Sequence, residues 1–85
     1  MQYFTFEVKY LAFFAMTKAK KYNRIKIVLA QKEVTNRALA EKLGLAEGSV
    51  SRWATNTSQP DVKTLFQIAE VLGVDVCELL NREPE

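Results

Sequence analysis

Eighty-five residues make one small domain, long enough to bury a single core and too short for an active-site cleft between two lobes. An apolar fraction of 48%, a charged fraction of 26% and a mean hydropathy near zero exclude an integral membrane protein and describe a chain that folds in water. A single cysteine, Cys77, cannot close an internal disulfide, and without histidine neither a zinc site nor a histidine-based dyad can be assembled. A small binding module is expected rather than an enzyme, with no metal and no cofactor.

The net charge of +2 hides an asymmetry. Residues 16–32 carry Lys18, Lys20, Lys21, Arg24, Lys26 and Lys32 and no acid, whereas residues 61–85 carry six acids against Lys63 and Arg82. A basic N-terminal region suits a polyanion and an acidic C-terminal part would face away from it, although lysines near a chain end also serve simply to solubilise.

In chain order, residues 1–15 come first and are rich in aromatics (Tyr3, Phe4, Phe6, Tyr10, Phe13, Phe14), with apolar and polar side chains alternating over residues 4–10 as in a short strand. No basic residue precedes this apolar part, and Glu7 and Lys9 interrupt it, which argues against a signal peptide or a membrane span and for a cytoplasmic protein. A lone strand needs a partner, so the segment reads as pairing with a second copy or lying on the helices as a flap; the alternative is an accessory leader ahead of Met16. The expected division is an N-terminal extension over residues 1–17, a domain over residues 18–82 and a tail over residues 83–85.

Helical spacing then takes over, and five helices can be placed. The first covers about residues 21–31, with Ile25, Val28 and Leu29 on one face and Tyr22 a turn earlier. The second follows Thr35 as N-cap, turns Leu39, Ala40 and Leu43 inward, and stops at Gly44. The third covers about residues 47–55 with Val50 and Trp53 inward, and the polar run Thr55 to Gln59 before Pro60 marks a loop. The fourth starts from Asp61 as N-cap, buries Val62, Leu65, Ile68, Ala69 and Leu72, and ends at Gly73. The fifth opens on Asp75 with Glu78 at capping-box spacing and packs Val76, Leu79 and Leu80 inward.

Two short helices across a tight turn inside an all-helical domain are the parts of a helix-turn-helix, here over residues 36–55. Ala40 falls where the two helices approach most closely and Gly44 where the turn needs positive φ, while Leu39, Leu43, Leu45, Val50 and Trp53 form the interior face. With Val50 and Trp53 inward, the third helix presents Glu47, Gly48, Ser49, Ser51 and Arg52 outward.

Over residues 24–80 the chain resembles the helix-turn-helix domains of phage repressors and Cro proteins, the XRE family. The residues that carry the resemblance are Arg24 and Ile25, the run Leu39, Ala40, Glu41, Lys42, Leu43 and Gly44, then Val50, Ser51, Arg52 and Trp53, then Gln59 and Pro60, and finally residues 68–74 followed by Glu78, Leu79 and Leu80. The resemblance implies an all-α, five-helix repressor-like domain that binds double-stranded DNA sequence-specifically, usually as a homodimer on a palindromic operator, in a small transcriptional regulator.

Base contacts then fall to Glu47, Gly48, Ser49, Ser51 and Arg52. Arg52 is the strongest of these, because a guanidinium can bond both acceptors of a guanine edge, whereas Glu47 repels phosphate unless it accepts from a cytosine amino group. Backbone contacts fall to Asn36 and Arg37 at the start of the second helix, to Asn56, Thr57 and Ser58 in the loop, and to Lys20, Lys21 and Arg24. The alternative for Arg37 is an i,i+4 pair with Glu41, and for Arg52 an ion pair with a neighbouring helix.

Several positions depart from the family. Asn36 stands for a common glutamine, Ala46 for the usual hydroxyl N-cap, Ala54 for a common glutamate, and Asn56 for a glycine, where it could take the left-handed conformation. These changes and the neutral loop motivate an alternative function: a protein-interaction module on the same fold, with weak or non-specific DNA binding. Cys77 reads as a small buried apolar residue rather than a nucleophile.

Overall fold

A computed structural model of the chain describes residues 20–83. Among these residues four α-helices follow one another: α1 (Ile25–Lys32), α2 (Asn36–Leu43), α3 (Glu47–Ala54) and α4 (Val62–Leu72), and a 3-10 turn, Val76–Leu79, comes after them. The expected strand over residues 4–10 lies outside the described residues; among those described, the only β pairing is an isolated antiparallel bridge between Asn23 and Leu80.

Helix boundaries follow local capping chemistry where a cap exists. Thr35 accepts a hydrogen bond from the Ala38 amide at 3.0 Å and starts α2. Asp61 does the same for α4 through the Thr64 amide at 2.8 Å. Gly44 closes α2 in the left-handed region at φ 71°, and the Leu45 amide returns to the Ala40 carbonyl at 2.9 Å, which leaves three residues to turn the chain into α3. The buried core joins Ile25, Val28 and Leu29 of α1, Leu39 and Ala40 of α2, Val50 of α3, Ile68, Ala69 and Leu72 of α4, and Leu79 of the terminal turn. Ala40 of α2 is buried in this core at 2% exposure, so a larger side chain there would overpack it.

The structure corrects the expected five-helix count at both ends. The helix expected from residue 21 begins only at Ile25, because residues 22–24 are tied by their backbone to the turn after α4: the Arg24 amide donates to the Leu79 carbonyl at 2.7 Å and the Asn81 amide to the Tyr22 carbonyl at 2.9 Å. Tyr22 is consequently turned out, 48% exposed. The fifth helix is a 3-10 turn instead. Asp75 accepts from the Cys77 amide, two residues on, so no reciprocal capping box with Glu78 starts an α-helix, and Leu80 is extended (ψ 143°) to pair with Asn23. Leu45, Val62 and Leu80, all expected inside, lie on the surface. Val62 is the first residue of a capped helix and Leu80 stands beyond the last turn, so neither follows the inward face that helical spacing assigns.

Candidate nucleic-acid interface

Helix α3 offers its outer face at the surface. Glu47, Gly48 and Arg52 are exposed, and Ser49 and Ser51 are half-buried on its flanks. Ala46 occupies the N-cap without a side-chain bond, as the sequence leads one to expect; the Ser49 amide turns back to the Ala46 carbonyl at 3.1 Å, and the amides of Glu47 and Gly48, which no side chain caps, favour an anion or a base oxygen. Arg52 lies back along the helix: Nη2 is 3.4 Å from Ser49 Oγ, and a Cβ built on Gly48 would come 3.5 Å from Nη1. The guanidinium therefore lies over Gly48 at ordinary contact distance. Among the described residues Arg52 makes no ion pair and is free to extend towards a ligand; the one ion pair found there joins Arg37 to Glu41 at 3.6 Å between largely exposed groups. An exposed i,i+4 pair of this kind contributes about 0.3–0.5 kcal/mol and leaves Arg37 available to a phosphate.

Asn36 opens α2, half-buried. It lines a recess of about 360 Å³ with Lys26 of α1, Thr35 and Thr55, over apolar side chains that include Leu29 and Ala54. Lys26 and Asn36 border this concavity at the N-terminus of a helix as donors to an anion, while the Thr35 and Thr55 hydroxyls are engaged with the backbone, by the cap on Ala38 and by the Ser51 and Arg52 carbonyls. Lys26 belongs to the basic run noted in the sequence, but only its proximity to Asn36 and Thr55 singles it out from its neighbours.

The loop after α3 differs from expectation at one residue. Asn56 does take the left-handed conformation, φ 62°, yet its side chain is buried and bonded to Asn23 and Gln59, so it is not an outward donor. Thr57 and Ser58 are exposed; both backbone amides bond to the Arg52 carbonyl, at 2.9 and 3.3 Å, leaving their hydroxyls as the available groups. Thr57 Oγ1 also shares a hydrogen bond of 2.8 Å with Thr55 Oγ1. At the N-terminal side, Lys20 and Lys21 are exposed, but Arg24 is turned towards the acidic end, where Nη1 donates to the Glu78 carbonyl at 3.1 Å. The structure therefore separates Arg24 from the other basic candidates. Cys77 is exposed rather than buried, and the neighbouring Asp75 carboxylate, by a hydrogen bond and by its charge, pushes the thiol above its ordinary pKa and makes it a poorer nucleophile.

The α2–turn–α3 unit, its buried Ala40 and its left-handed Gly44 have the geometry of a helix-turn-helix, and the Helix-turn-helix family model matches residues 25–79. The chain belongs to the helix-turn-helix family, of the XRE type. The "uncharacterized HTH-type transcriptional regulator YqaE" of Bacillus subtilis (strain 168) is 34% identical over 53 residues, which are 62% of this chain and 46% of that protein. The chain thus matches less than half the length of this relative. A solved structure described as a "putative DNA-binding protein" from Bacteroides fragilis is 52% identical, with a TM-score of 0.70, and the match covers 71% of this chain and 97% of the other. Among the described residues of this helix-turn-helix protein, no helix is long and apolar enough to cross a membrane and no group of three or more potential metal ligands converges.

Proposed function

We propose that the protein binds double-stranded DNA sequence-specifically as a transcriptional regulator, with α3 laid in the major groove. The observation that carries this reading is the outer face of α3, where Gly48, Ser49 and the unpaired Arg52 lie together beside a helix start without a side-chain cap. In this reading Arg52 unfolds from Ser49 and bonds a guanine edge, Ser49 and Ser51 reach a base or a phosphate, and Glu47 accepts from a cytosine amino group. One phosphate rests in the recess between Lys26, Asn36 and Thr55. Arg37, Thr57 and Ser58 hold flanking phosphates, and Lys20 and Lys21 add salt-dependent affinity. Arg24 has no part in it. Two copies on a palindromic operator, in the cytoplasm, complete the proposal, since one eight-residue helix reads only a few base pairs.

Selection of bound duplexes from a random pool, with the mass of the complex measured in solution, tests it. The expected result is a palindrome bound by two copies, and Arg52→Ala should lose about 1–3 kcal/mol of preference at one base position. Equal losses on selected and scrambled duplexes would refute the role of Arg52. A folded protein that binds no duplex would instead favour the protein-interaction module, for which Glu47 and the uncharged loop side chains speak.

A further inference from the structure

The polar contacts that DNA contact leaves unused converge on Asn23. Its Nδ2 donates to the Trp53 carbonyl at 2.9 Å and to Gln59 Oε1 at 2.7 Å, and its Oδ1 accepts from the Ile25 amide at 3.0 Å. Asn56 closes the set: Oδ1 accepts from the Asn23 amide at 3.0 Å and from Gln59 Nε2 at 3.2 Å, while Nδ2 donates to the Asn23 carbonyl at 3.2 Å. Both asparagines are buried, at 4% and 7% exposure, and no buried side-chain polar atom among the described residues is left without a partner. On the other edge of the same residues stand the bonds to Leu79 and Asn81, including one from the Asn81 side-chain amide to the Lys21 carbonyl. Residues 21–24 are therefore gripped from both sides, by the end of α3 and by the chain's last turn.

A fully satisfied buried polar network fixes one arrangement of the parts it joins, where apolar packing tolerates several. The parts joined here are those that would meet DNA. Lys21 lies two residues before Asn23 and Thr57 directly follows Asn56, so the backbones of Lys20 and Lys21 stay within about 10 Å of the network. Trp53, whose carbonyl is bonded, neighbours Arg52 in α3. We infer that Asn23, Asn56 and Gln59 are positioning residues that lock the basic arm, Lys20 and Lys21, to the end of the recognition helix, so that arm and helix engage one duplex together. The backbone of the arm is then ordered on folding rather than on binding, which spares the complex the cost of ordering it. This inference rests on the DNA-binding reading.

The test is a set of double-mutant cycles on the full chain with a selected duplex. The lysine pair is replaced (Lys20→Ala with Lys21→Ala) in the wild type, in Asn56→Gly and in Gln59→Ala, each first checked by thermal melting. Asn56→Gly keeps the left-handed backbone and removes three side-chain bonds; Gln59→Ala removes two and leaves the asparagine pair, which keeps the test open if the first variant does not fold. The expected result is that the lysine replacement weakens wild-type binding about fivefold or more and Asn56→Gly binding about twofold or less, with Gln59→Ala between them, and that Asn56→Gly shifts the salt slope towards that of the lysine variant. Equal losses in all folded backgrounds, with unchanged slopes, overturn the lock and leave DNA binding intact. A wild-type chain that binds no duplex removes the DNA reading and the lock together.

Discussion

Among the described residues two non-glycine residues take the left-handed conformation, Glu33 in the turn between α1 and α2 and Asn56 in the loop between α3 and α4, and they do so in opposite circumstances. Glu33 closes α1 at φ 57° with an exposed side chain; only its own amide, bonded to the carbonyls at the end of α1, takes part in the cap. Its conformation is strained without side-chain compensation. Asn56 closes the region after α3 at φ 62°, and its buried side chain makes three hydrogen bonds, two to Asn23, 33 residues away, and one to Gln59. The first turn only has to connect two helices, whereas the second also holds the basic arm against the candidate recognition helix. A backbone strain that a glycine would remove is kept at Asn56 because the amide side chain bonds what a glycine could not.

Replacing Asn56 should break this contrast most severely. Asn56→Ala keeps a Cβ in the left-handed region and strips the partners from the Asn23 backbone, and a loss of about 2–4 kcal/mol is expected in denaturant unfolding. Asn56→Gly relieves the backbone but still orphans those groups, so the loss should fall to about 1–3 kcal/mol. The difference between the two separates the strain from the hydrogen bonds. At the opposite, reading end of α3 the missing cap can be restored: Ala46→Ser should raise stability by about 1 kcal/mol, since Ala46 already has the extended backbone of an N-cap (ψ 142°). Glu33→Gly should also stabilise, by up to about 1 kcal/mol, the relief of strain being partly offset by the greater freedom of glycine in the unfolded chain. A loss at Glu33→Gly would show that the two turns are alike after all.

The smallest effect is expected from pH. The Thr64 side chain and backbone amide both bond the Asp61 carboxylate and hold it below the ordinary carboxylate range. The folded-state pKa is depressed, so its stabilisation is present above the unfolded value and fades as pH falls through the folded one. Melting temperatures measured from neutral pH down through the acid range should show this loss in the wild type and less of it in Asp61→Asn, which retains a capping oxygen without the titration.

Much of this architecture is legible in short stretches of sequence. Thr35, Gly44, Asp61 and Gly73 mark helix ends correctly because a cap involves groups within a few residues of one another. Core positions at helical spacing, such as Leu39, Val50 and Ile68, are buried as their spacing requires. The surface candidates on α3 are likewise readable, since two inward residues, Val50 and Trp53, fix the phase of an eight-residue helix. The role of Asn23 is not legible. An asparagine in a lysine-rich run looks like solvated surface, and nothing near it in sequence announces partners 30–36 residues away. The same distance conceals the diversion of Arg24 to Glu78, 54 residues on, and the nearness of Lys26 to Thr55.

The sequence by itself thus determined the helix-turn-helix and its outward face, because helix phase, caps and the glycine turn depend on local sterics and on bonds inside one or two turns. The tertiary structure alone decided which basic residues share a surface, that the last element is a 3-10 turn rather than a helix, and that Asn56 faces inward. Each of these depends on what the two ends of the domain do when they meet: Asn23 and Leu80 form a β bridge flanked by the backbone bonds of Tyr22 and Arg24, and that pairing shortens α1, stops the last turn and brings Asn23 into reach of Asn56. Hydrogen-bond satisfaction of buried backbone, not side-chain periodicity, sets that outcome, and it is settled only by chain segments that are distant in sequence.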